Sequence, residues 1–148
     1  MEKYRVLHSQ DAQLIRTWRN RQLKILRQEN EISEEEQENY FLNHVLTQYE
    51  SENPKQLLFG MESDGQLIAY GGLTRISWIN LTAELSFLTS PDLETSPEKP
   101  VIFANFLRWV AQFAFESKSL ERIYTETFAF RLEHIQVLEN AGFKREGI

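Results

Sequence analysis

The 148-residue chain carries 16 Lys and Arg against 22 Asp and Glu, and its net charge of −6 gives it none of the basic footprint of a nucleic-acid binder. The absence of cysteine excludes disulfides, thiolate nucleophiles and zinc–sulfur centres, while 41% hydrophobic and 12% aromatic residues supply ample material for a core. No run reaches the roughly 20 apolar residues of a membrane span, and Met1-Glu2-Lys3-Tyr4-Arg5 lacks a signal-peptide stretch, so one cytoplasmic domain over 1–148 is expected, with no membrane or nucleic-acid partner.

Tyr4-Arg5-Val6-Leu7 alternates as a short strand, and Ser9 and Asp11 offer caps for a helix with Leu14, Ile15 and Trp18 at helical spacing. The cations Arg16, Arg19, Arg21, Lys24 and Arg27 read as a solvated helix face. Ser33 to Glu36 forms a capping box, with three carboxylates at the positive end of a helix dipole, and predicts a helix reaching Tyr49 with Phe41 and Val45 on its stripe. Strands over 56–61 and 66–74 flank the turn dipeptide Asp64-Gly65. Gly71-Gly72 reads first as a bulge in the second of them, its other reading being a close approach of the backbone to a bound molecule.

After a bend at Trp78-Ile79-Asn80, a strand over 83–88 sets Leu85 and Phe87 on one face and Glu84 and Ser86 on the other. An irregular stretch over 89–99 leads to an amphipathic helix over 100–117. A strand over 122–128 and a helix over 132–141 follow, then Gly142 as a left-handed cap and a short strand over 143–145. The strand, helix, strand passage from 83 to 128 is a crossover between parallel neighbours, so the fold class is α/β (α+β) with a mixed, mostly antiparallel sheet flanked by helices.

This order, together with Trp18-Arg19-Asn20, Gly71-Gly72, the run from Ala83 to Phe87 and the run from Val137 to Phe143, resembles the GNAT acyl-CoA N-acyltransferases over nearly the whole chain. The pairing of Trp18-Arg19-Asn20 with Ile32-Ser33-Glu34-Glu35-Glu36 is most similar to the ribosomal-protein and amino-sugar N-acetyltransferase branch. The resemblance implies fourth and fifth strands that splay apart to hold acetyl-CoA, the expected co-substrate. It also implies a primary amine as acceptor, on a small molecule, an amino sugar or a protein N-terminus. The residues leave oligomeric state open, a homodimer being one assembly allowed. The family's final hairpin strand is not expected within 1–148.

Amide formation from a thioester needs a neutral amine, a stabilised oxyanion and a proton for the departing thiolate. Glu84 matches the family's fourth-strand glutamate and is the candidate base, its other reading being a carboxylate on a solvated strand face. By the same resemblance Phe87, Leu88 and Thr89 face the pantetheine, and Arg131 and His134 are assigned to the cofactor. Trp18, Arg19, Trp78 and Glu126 are assigned to the acceptor. Two features depart from the family: 89–100 has no glycine but has Pro91, Pro97 and Pro100 with Asp92, Glu94 and Glu98, and Leu138 stands where a tyrosine acid is usual. Arg131 and the helix start near Val101 are then the remaining sources of positive potential for a pyrophosphate, and Tyr124 and His134 the acids left in reach. These departures favour a second reading, a GNAT-shaped binding module without turnover. His8, His44 and His134 have no metal-ligand spacing, so no metal is expected.

Overall fold

Five strands form one sheet in the order β1-β2-β3-β4-β5, antiparallel except for the last pair. They are β1 (Glu2–Val6), β2 (Leu57–Ser63), β3 (Gln66–Ser77), β4 (Thr82–Thr89) and β5 (Arg122–Tyr124). The structure is a computed structural model and describes residues 2–26 and 28–146. Met1, Gly147, Ile148 and Arg27, the last a member of the basic run noted above, lie outside the described residues.

Helix α1 (Ala12–Asn20) buries Ala12, Ile15 and Trp18, whereas Leu14 falls at the stripe's edge and is 44% exposed. Helix α2 (Glu34–Tyr40) starts on the capping box, with Glu36 N donating to Ser33 Oγ at 3.1 Å and Ser33 N to Glu36 Oε1 at 3.0 Å. It runs on through a π segment, Phe41–Val45, and a tight turn, Leu46–Glu50. The widened turn keeps both Phe41 and Val45 in the core. Asp64 and Gly65 both have positive φ, 51° and 79°, as a two-residue primed hairpin turn requires.

The residues 89–99 are not wholly irregular, since Pro91–Glu94 makes one helical turn, α3. Helix α4 (Lys99–Gln112) continues into a π segment, Phe113–Ser117, and α5 (Leu132–Asn140) closes the fold. Phe143 N donates to Leu138 O at 3.0 Å and Gly142 N to Glu139 O at 3.1 Å, a Schellman ending with Gly142 at φ 104°. Beyond it 143–145 is not a strand. Phe143 packs on the core instead.

Two further expectations are corrected. The fifth strand ends at Tyr124 rather than reaching 128, because the chain leaves β4 after the Glu84–Tyr124 pair and Thr125 keeps contact only through Oγ1, 3.4 Å from Leu85 O. Gly71-Gly72 is no bulge: both stay in register with Phe87 and Ser86, and the register shifts lie at Met61/Glu62 and Thr74/Ser77. The glycines instead permit close strand approach, since a Cβ would lie 2.1 Å from Ser86 O at Gly71 and 2.1 Å from Leu57 O at Gly72.

Strand alternation divides the core. Ala83, Leu85 and Phe87 of β4 pack with Phe103 and Phe106 of α4, while Leu88 packs with Ile15 and Trp18 of α1 and with Phe41 on the opposite face. Glu84 has the parity of Leu88 and so belongs to the α1–α2 side. Among the described residues no helix is long and apolar enough to cross a membrane.

Candidate active site

A cleft of about 700 Å³ opens where β4 and β5 part. Past Glu84, β4 continues to Thr89 while β5 has ended, so the β4 backbone edge turned from β3 is left without a strand neighbour. Ser86 and Phe87 form its floor with Thr74 and Tyr70 of β3. Arg19, Glu36 and Tyr40 close one end from the α1–α2 side, and Phe103, Arg131 and His134 close the other from α4 and α5.

Glu84 lies in this cleft and is only 4% exposed, so its strand face is not solvated. Arg75 approaches its Oε1 at 3.7 Å, turned there by a positive φ of 48° at the β3 irregularity. Glu126 lines the cleft from the segment after β5 and is exposed.

The three consecutive residues Trp18, Arg19 and Asn20 have three different tasks, because neighbours on a helix point about 100° apart. Trp18 is buried among core residues and does not line the cleft. Arg19 does, with Nη1 donating to Tyr70 OH at 2.9 Å and Nε to Gln28 Oε1 at 2.9 Å. It is therefore no part of a solvated face. Asn20 clamps the segment before α2, accepting from Ile32 N at 2.8 Å and donating to Ile32 O at 2.9 Å. Trp78 lies away from the cleft, packed on the core with Nε1 donating to Pro54 O at 2.9 Å.

Of the β4 residues assigned to the cofactor, Phe87 lines the cleft and stacks on Phe103 with centroids 4.7 Å apart. Leu88 and Thr89 are buried outside it, and Thr89 O accepts from Gln22 Nε2 at 2.9 Å. At the α4–α5 end, Arg131 Nη2 donates to Glu94 Oε1 at 2.8 Å, and Lys99 Nζ lies 3.5 Å from the same oxygen. Lys99 Nζ also lies 3.1 Å from His134 Nδ1, and His134 stacks on Phe103 at 4.1 Å. Burial, then the charges of Arg131 and Lys99, push the imidazole down to about 2, and burial likewise lowers the Lys99 ammonium. His134 is thus neutral at ordinary pH. Its Nδ1 serves as acceptor to the Lys99 ammonium, and it has no imidazolium proton to give. The other sequence-derived acid, Tyr124, has the Arg122 guanidinium over its ring at 5.2 Å.

Sequence reasoning missed Glu94 as the carboxylate between Lys99 and Arg131, and Tyr70 as the group that holds Arg19. The signal for Tyr70 was its place just before Gly71, on the face shared with Thr74. No local pattern announces Glu94, whose partners lie 5 and 37 residues away. Among the described residues no group of three or more His, Asp or Glu is placed to hold a metal ion.

Residues 4–148 match the family described as the acetyltransferase (GNAT) domain. The spermidine N-acetyltransferase from Vibrio cholerae in complex with CoA and spermine superposes with a TM-score of 0.82 at 20% identity, over 99% of this chain and 82% of that one. A dodecameric structure of the Vibrio cholerae enzyme in an intermediate state gives 0.77 at 20% identity, over 99% and 81%. A chimera of the Vibrio cholerae enzyme and hSSAT gives 0.80 at 20% identity, over 99% and 82%. At this identity the likeness establishes the fold. No curated protein matches the chain significantly.

Proposed function

The chain belongs to the acetyltransferase (GNAT) domain family, and we propose that it moves an acetyl group from acetyl-CoA to a primary amine held in the cleft, with Glu84 as the general base. The observation that carries this reading is the place of Glu84. A carboxylate with 4% exposure sits at the last β4–β5 pair, where the sheet opens beside backbone groups without a strand neighbour. The Vibrio cholerae complex with CoA and spermine supports both the donor and an amine acceptor.

The residues divide the work as follows. An amine enters as an ammonium ion, attracted by the exposed Glu126 at the cleft wall, and transfers a proton to Glu84. The neutral nitrogen attacks the thioester carbonyl carbon. The unpaired β4 amides supply donors for the resulting oxyanion. Collapse breaks the C–S bond, the surplus proton on the attacking nitrogen passes to the departing thiolate, and the products are an amide, the CoA thiol and the proton taken from the ammonium. Arg131, which lines the cleft, would meet the donor's phosphates, against competition from Glu94, with the buried Lys99 behind it as a further positive charge.

One observation favours a second reading, ligand binding without turnover. Glu94 already pairs with the cations at the α4–α5 end of the cleft, in a segment where Pro91, Pro97 and Pro100 offer no amide donors. The test is CoA release from acetyl-CoA in the presence of amines, followed with a thiol reagent. Because the protein has no cysteine, that reagent reads CoA alone. Amine-dependent thiol release supports acetyl transfer. Binding of acetyl-CoA without thiol release for any amine supports the second reading.

A further inference from the structure

We infer that the acceptor carries, besides its amine, an anionic oxyacid group, a phosphate or a carboxylate, and that Arg19 receives it; this rests on reading the cleft as an amine-acetylation site. Three arginines among the described residues line the cleft: Arg19, Arg75 and Arg131. Arg75 approaches Glu84 and Arg131 is paired with Glu94. Arg19 differs. Its partners among the described residues are the Gln28 amide oxygen and the Tyr70 hydroxyl, neither of them charged.

A partly buried guanidinium with only neutral partners retains its attraction for an anion, and its planar fork matches the paired oxygens of phosphate and carboxylate. Arg19 is also held in place before any ligand arrives. Tyr70 anchors one nitrogen, Gln28 anchors another, and Gln28 Nε2 is itself 3.3 Å from Asn20 Oδ1, the group that clamps Ile32. A receptor fixed on both sides loses little entropy on binding.

The register supplies the distance. Tyr70, which holds Arg19, pairs with Leu88, and Thr74 pairs with Glu84. Four residues along a strand is roughly 13 Å at about 3.3 Å per residue. Both side chains line the same cleft, and a span of this order is the length of a small metabolite. An amine at Glu84 and an oxyacid group at Arg19 therefore fit one molecule. A polycation laid along the same line would set an ammonium beside Arg19.

Matched acceptor pairs that differ in one charge test this: glucosamine 6-phosphate against glucosamine, and 4-aminobutanoate against 4-aminobutanamide, with spermine as the polycation. Each is assayed for thiol release and, separately, titrated for binding. The expected result is that at least one anionic member exceeds its uncharged partner by about 10- to 100-fold in kcat/KM or affinity. Which pair responds identifies phosphate or carboxylate. R19Q should abolish that advantage, while R19K, which keeps the charge, should retain part of it and guards against mere misfolding. The inference is overturned if the uncharged members or spermine do equally well, if R19Q keeps the advantage, or if neither anionic amine is acetylated or bound. Absence of acetyl-CoA binding would remove the acetyl-transfer reading instead, and the amine titrations would still decide the role of Arg19.

Discussion

Arg19 and Arg131 stand at the two ends of one cleft and are held in opposite ways. At the α1–α2 end the guanidinium is positioned by a phenol and an amide, neither of which carries a charge. At the α4–α5 end a carboxylate of the chain already satisfies it, and the same carboxylate lies beside a buried lysine. The difference teaches that the presence of a cation in a site says little until its counter-ion is known. On the proposed reading the acceptor end takes up charge from outside, and the donor end must first release its own.

The largest expected effect lies between the two ends. Glu84→Gln should lower turnover by about 10²–10⁴-fold, the usual consequence of removing a general base, with acetyl-CoA affinity nearly unchanged. Wild-type turnover in this variant would separate Glu84 from the chemistry and leave the two ends without a reacting centre.

A second effect is confined to the donor end. The His134 pKa, about 2 in the folded chain against 6.5 ordinarily, means that the unfolded chain takes up the proton first as pH falls. The stability that His134 contributes is therefore full above pH 6.5 and is lost as pH falls from 6.5 toward 2. Each pH unit costs up to about 1.4 kcal/mol. Urea denaturation of wild type and His134→Gln between pH 7 and pH 5 measures it. The variant should show the shallower decline, and equal slopes would mean that burial and the cations around His134 do not hold it neutral.

The smallest effect sharpens the contrast most. Glu94→Gln removes the internal anion and leaves Arg131 for the donor's phosphates, so acetyl-CoA should bind about 10-fold tighter and with a steeper salt dependence. Unchanged or weaker binding, read by titration at two salt concentrations, would make the Glu94 cluster a purely structural one.

How much of this was legible in the sequence follows from the range of each interaction. The Ser33 capping box, the Asp64-Gly65 turn and the Gly142 cap are written within a few neighbouring residues, and each forms as the sequence predicts. The parity of Glu84 was equally readable, because Ala83, Leu85 and Phe87 alternate around it. The early end of β5 was not, since 125–128 has strand-like composition and only the divergence of its neighbour stops the pairing. Likewise the sequence could place Trp18 and Arg19 on one helix but not assign one to the core and the other to the cleft. The Glu94 clamp depends on partners brought together by the tertiary fold, and as a sequence feature it was one acidic residue among several.

On the proposed reading this cleft binds acetyl-CoA although the segment before α4 has no glycine and Glu94 holds the nearby cations. Calorimetric titration of the wild-type chain with acetyl-CoA, with pantetheine analogues lacking the phosphates as control, tests it most directly. The expected result is saturable one-to-one binding in the micromolar range that weakens when salt is raised and when the phosphates are removed. No heat of binding at millimolar acetyl-CoA would contradict it.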